Sequence, residues 1–179
     1  STIYITGTVP ISEEISLEGT NAVLKRGASF NGYLLRVVSG QTAVLKNITV
    51  DGNSEEASGA NSSLINCTGT CTLNIEEGAV LQNNKIISKK EEVRKGGAVY
   101  CDGSTVNMTA GLIQNNAATW GGGILVTGNG VLNMSGGTIA NNQAISGNIE
   151  NYWNYAAGGG GVCLKEGATF NLSGTALIQ

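Results

Sequence analysis

The sequence predicts an all-β fold, a right-handed parallel β-helix (solenoid) of about five to six coils. Three observations predict it. From Gly96 the chain says the same thing twice, first GGAVYCDGSTVNMTAGLIQNNA and then GGGILVTGNGVLNMSGGTIANNQA. Self-similarity of this period is the mark of a stacked repeat, and it decides the fold before any local reading. The apolar runs are only three to five residues long, separated by Gly, Asn and Ser. They are too short for helices and suit strands. Finally, an apolar-Asn-apolar triplet recurs as Leu73-Asn74-Ile75, Val106-Asn107-Met108, Leu132-Asn133-Met134 and Phe170-Asn171-Leu172, spaced 33, 26 and 38 residues apart. One coil cannot bury its inward side chains, but stacked coils bury a continuous column.

Strand periodicity assigns the faces, because successive side chains point to opposite sides. In the triplets, the flanking apolar residues point in, and Asn74, Asn107, Asn133 and Asn171 point out as a ladder of amides. In the strands after the Gly pairs the expected inward residues are Ala98 and Tyr100, Ile124 and Val126, and Val162 and Leu164. Gly97 to Val106, Gly123 to Leu132 and Gly161 to Phe170 are each 9 residues apart, which supports that alignment. Glycine supplies positive φ at the corners, with Asn the next best residue there.

Taken in order, residues 1–32 form an opening or capping coil with corners at Gly7, Pro10 and Gly19. Residues 33–62 form a second coil and a polar loop. Residues 63–179 hold the repeat coils, with insertions at 85–95 (KIISKKEEVRK) and 143–157 (QAISGNIENYWNYAA). The chain is read as one β-helix domain. Both insertions follow an Asn pair, so they should leave the coil at one corner and project on one side, where a binding face is often built. Trp120 sits at that corner one coil earlier. Exposed aromatics there offer a platform for sugar rings or a protein partner. The candidate ligand-binding residues are Trp120, Tyr152, Trp153 and Tyr155, with Asn148, Glu150 and Asn151 as polar partners. The competing reading is that the rings fold back as a lid.

Composition bounds the rest. The net charge is −3 and no basic stripe is present, which argues against a nucleic-acid partner. No stretch approaches the ~18 apolar residues of a membrane span, so no membrane insertion is expected. Without an initiator Met or signal peptide, the chain reads as a fragment of a longer repeat protein. Of the four cysteines, Cys67 and Cys101 are expected at equivalent outer positions of successive coils. A Cys67–Cys101 disulfide, a Cys67–Cys71 disulfide closing a short turn, and free small apolar thiols all remain open. A Cys-x-x-x-Cys pair without His is weak evidence for zinc, and no cofactor or metal is expected.

The Lys95-Gly96-Gly97-Ala98-Val99 segment resembles the Gly-Gly-Ala-Ile motif of polymorphic outer-membrane protein repeats. Leu81-Gln-Asn-Asn84, Ile113-Gln-Asn-Asn116 and Ile139-Ala-Asn-Asn142 resemble that group's companion motif, with Leu or Ile where it has Phe. More broadly the chain is similar to the pectin-lyase-like β-helices of large bacterial surface proteins. The resemblance implies an extracellular, cell-surface, adhesin-like role and a glycan or host surface protein as partner. It carries over no catalytic residue.

Many parallel β-helices are polysaccharide lyases or glycosidases, so that class has to be weighed. The chain has no His, which removes His-based proton transfer. Its two Asp, Asp51 and Asp102, cannot make a three-Asp cluster or a rich calcium site. Glu76, Glu77, Asp102 and Glu150 are the remaining carboxylates that could form a glycosidase pair. The expectation is a non-enzyme, with a polysaccharide-degrading enzyme and a purely structural stalk as the alternatives.

Overall fold

The computed structural model describes residues 1–86, 95–146 and 157–179. These residues form strands and turns and no helix. Their strand pairings are all parallel and stack as a β-solenoid. With strands numbered in chain order, the first face is a six-stranded sheet. It contains β2 (Val9–Ile11), β4 (Leu35–Val37), β6 (Ile65–Thr68), β9 (Val99–Asp102), β13 (Ile124–Thr127) and β17 (Val162–Leu164). The second and third faces are two arms of one 11-stranded sheet. The second carries β7 (Thr72–Ile75), β10 (Thr105–Met108), β14 (Val131–Met134) and β18 (Thr169–Leu172). The third carries β1 (Thr2–Ile5), β8 (Val80–Gln82), β11 (Leu112–Gln114), β15 (Thr138–Ala140) and β19 (Leu177–Ile178). In the early coils both faces are one strand. β3 (Ile15–Arg26) and β5 (Thr42–Asp51) run through the bend at Asn21 and Asn47, which take φ of 58° and 51°. A short ladder of β12 (Ala117–Ala118) and β16 (Gln143–Ala144) lies beside them.

The solenoid makes about four turns, slightly fewer than the five to six coils the repeats predict. The first and last rungs lack a neighbour on one side, which is why Ile3, Val9, Leu164, Leu172 and Leu177 are exposed. Inside, the triplets behave as their periodicity requires. Leu73, Ile75, Val106, Met108, Leu132 and Met134 are buried and pair in register, and the asparagines between them face outward. Full burial of each such side chain stabilises by about 1.5–3 kcal/mol.

On the first face the register corrects one expectation. Val99 pairs with Ile124 and Cys101 with Val126, so Val99 and Cys101 point in and Tyr100 points out. The later coil carries one more corner residue: Gly128-Asn129-Gly130 stands where the earlier coil has Gly103-Ser104. Aligning the two on their triplets therefore slips the preceding strand by one residue, and a one-residue slip exchanges the faces. The same slip placed Cys67 and Cys101 outside. They are in register with each other but lie inward, both fully buried.

Candidate functional site

The site begins inside the solenoid, at the corner after the third face. Each Asn pair divides its work there. Asn83, Asn115 and Asn141 take the left-handed conformation, with φ of 57°, 54° and 54°, and turn the chain. Their successors point inward and bond along the stack. Asn116 Nδ2 donates to Asn142 Oδ1 at 3.0 Å and to the Leu81 carbonyl at 3.1 Å. The Asn84 and Asn116 main-chain N–H groups donate to the side-chain oxygens of Asn116 and Asn142 at 3.1 and 3.0 Å. Arg26, fully buried, ends the column by donating to Asn84 Oδ1 at 3.2 Å. It also donates to the main-chain carbonyls of Gly32 and Ser62. With no carboxylate beside it among the described residues, burial lowers its pKa to about 10.

This column fixes where the insertions leave and return. Lys85, Ala117 and Gln143 are in register just after it, so both insertions depart from one column. Lys95, Trp120 and Gly158 are in register where they return. Trp120 therefore lies between the two return points, one rung from each. Its half-buried ring lies against Gly158, where a Cβ would come within 3.1 Å of it. Lys165 Nζ stands 3.6 Å from the centre of the Trp120 ring system, a cation–π contact. One rung earlier, Lys95 Nζ lies 5.3 Å from the Tyr100 ring and 3.5 Å from its hydroxyl. Tyr100 Oη donates to Asp102 Oδ2 at 3.0 Å. Burial and that bond raise the Tyr100 pKa above the usual phenol range. Thr127 Oγ1 donates to Glu166 Oε2 at 2.7 Å. From this corner to its far end, the outer side of the first face thus combines aromatic faces, two ammonium groups and two carboxylates already held by hydroxyls.

Of the sequence-predicted residues, Trp120 stands at this corner. Asn148, Glu150, Asn151, Tyr152, Trp153 and Tyr155 lie outside the described residues. Cys67, Cys71 and Cys101 are free thiols in the core rather than surface groups. Tyr100, Lys95 and Lys165 were missed. Tyr100 was hidden by the slipped register, Lys95 falls at the end of the first insertion, and Lys165 carries no signal of its own in the sequence.

A second surface feature runs along the second face. Asn107, Asn133 and Asn171 each donate to the asparagine one rung below, at 2.9, 2.9 and 2.8 Å, beginning from Asn74. Beside this ladder is a groove of about 360 Å³ lined by Asn74, Glu76, Asn107, Thr109, Asn133 and Ser135. Both aspartates have structural partners. Asp51 accepts from the Asn53 N–H and from Gln82 and Asn83, and Asp102 accepts from Tyr100. Among the described residues no group of three or more His, Cys, Asp or Glu is arranged to hold a metal ion. No helix among them is long and apolar enough to cross a membrane. Comparison of the chain with models of protein families, with curated proteins and with solved structures found no match.

Proposed function

We propose that the chain is a non-catalytic recognition module of an extracellular, cell-surface β-helix. In this reading it binds a glycan or host surface protein at the corner where its insertions return. The observation that carries the reading is the Lys95–Trp120–Gly158 column. It sets a half-exposed indole between the roots of both insertions, and a rigid scaffold carrying variable loops is the usual way to build a binding site. Aromatic rings would stack on sugar faces while amides and ammonium groups bond hydroxyls. The engagement of Asp51 and Asp102 in structural hydrogen bonds, in a chain without His, supports binding over hydrolysis. The affinity with pectin-lyase-like surface β-helices belongs to this reading and rests on the Gly-Gly-Ala-Val and Asn-Asn motifs.

A glycan and extracellular-matrix array tests it. The protein is run beside Trp120→Ala and beside a variant lacking Ile145 to Tyr155. Binding should vanish with the deletion and weaken about tenfold or more with the substitution, roughly 1.4 kcal/mol. Absence of binding by all three chains would make the domain a spacer. The groove along the outer asparagines favours a second location for the same activity. If Asn107→Ala abolishes array binding and Trp120→Ala does not, the site is that groove.

A further inference from the structure

The corner between the first and second faces in the third coil is unlike the others. It joins β6 to β7 through Gly69 and Thr70, with φ of 78° and 66°. Thr70 is the one β-branched residue at positive φ among the described residues. Such a conformation is strained and persists only where the surroundings enforce it. Cys67 and Cys71 flank this corner, 0 % and 1 % exposed. The equivalents of Cys71 in later coils are Ser104 and Gly130, one residue before their paired strands.

We propose that Cys67 and Cys71 form a covalent staple, their sulfurs joining across this corner under oxidising conditions while Cys101 remains a thiol. Both side chains belong to the same buried core cluster on either side of the corner, and Cys71 Sγ reaches back across it to 4.0 Å from the carbonyl of Thr68, the residue next to Cys67. Cys71 Sγ also lies 3.4 Å from Ser104 Oγ. Cys101 is the other neighbour of Cys67, in register across the ladder. Its thiol donates to the Ser104 carbonyl at 3.2 Å.

The exchange needs one thiolate and one small disulfide. The Cys71 thiolate attacks a low-molecular-weight disulfide and forms a mixed disulfide, expelling one small thiolate. Cys67, losing its proton, then attacks Cys71 Sγ and expels the second. Two protein thiols are oxidised, one small disulfide is reduced to two thiols, and the two protons pass to the leaving thiolates. The thiols are reached before the coil closes over them, so the bond forms during folding. This inference stands apart from the recognition reading.

The test is to refold the chain in a mixture of reduced and oxidised glutathione and then count thiols in denaturant. The expected result is two titratable thiols instead of four. Cleavage after Lys and Arg places Cys67 and Cys71 on one peptide and Cys101 and Cys163 on another. The staple leaves the first peptide lighter by two hydrogens and unlinked to the second. The oxidised chain should melt a few degrees higher, with the gain removed by dithiothreitol. Four remaining thiols, or a bond joining the two peptides, would overturn the proposal. The peptide map uses the unaltered chain, so it decides the matter even if Cys71→Ser does not fold.

Discussion

The molecule contains two asparagine ladders, and they do opposite jobs. The outer one, Asn74, Asn107, Asn133 and Asn171, bonds amide to amide on a solvent-facing sheet. Water competes for every one of those bonds, so each contributes little. The inner one, Asn84, Asn116 and Asn142, lies at the corner and is mostly closed off from water. Its amides satisfy each other and also main-chain N–H and C=O groups of neighbouring rungs. Removing a member strands buried polar groups, which is where hydrogen bonds become expensive to lose. One residue type thus marks the structural heart of the repeat in one column and a replaceable surface in the other. Function is expected on the replaceable side and on the insertions the inner column anchors.

Variants rank the two columns. Arg26→Ala should have the largest effect, about 3–4 kcal/mol, since it empties a fully buried site and orphans Asn84 Oδ1 and the Gly32 carbonyl. Urea unfolding measures that loss. Asn116→Ala should follow at about 2–3 kcal/mol, or roughly 5–10 °C in Tm, by stranding the Asn84 N–H and the Leu81 carbonyl. The next effect depends on pH. Burial raises the Cys101 pKa from 9.0 to about 12. Its contribution is therefore complete below pH 9 and is lost as pH rises from 9 to 12, where the unfolded chain ionises first. The slope is up to ~1.4 kcal/mol per pH unit. Cys101→Ala, followed by thermal melts of the reduced chain, should flatten that slope. Smallest of all, Asn107→Ala should lower stability by less than about 1 kcal/mol. A loss matching that of Asn116→Ala would show that the outer ladder is structural after all.

Much of this was legible in the residues. The triplets announced strands, their inward pairs and the outer ladder, because a period of two leaves no other assignment when Asn alternates with Leu, Val, Met or Phe. The shared corner of the insertions was legible from the Asn pairs that precede them. The inner ladder was not, although its residues were seen as a motif. Sequence shows that Asn83 and Asn84 sit at a corner, but not that one turns the chain while the other turns inward. Nor could sequence count Gly128-Asn129-Gly130 against Gly103-Ser104, and that single extra residue misplaced Tyr100, Cys67 and Cys101. Arg26 had no signal of its own. Its partner Asn84 is 58 residues away in sequence, and a buried arginine without a carboxylate runs against the usual expectation.

The most direct measurement is side-chain amide hydrogen exchange by NMR on the unaltered chain. The Nδ2 protons of Asn84, Asn116 and Asn142 should be protected, exchanging only when the solenoid opens. Those of Asn74, Asn107, Asn133 and Asn171 should exchange at rates close to a free amide. Rapid exchange in both columns would contradict the inner ladder as the element that holds the corner and its insertions in place.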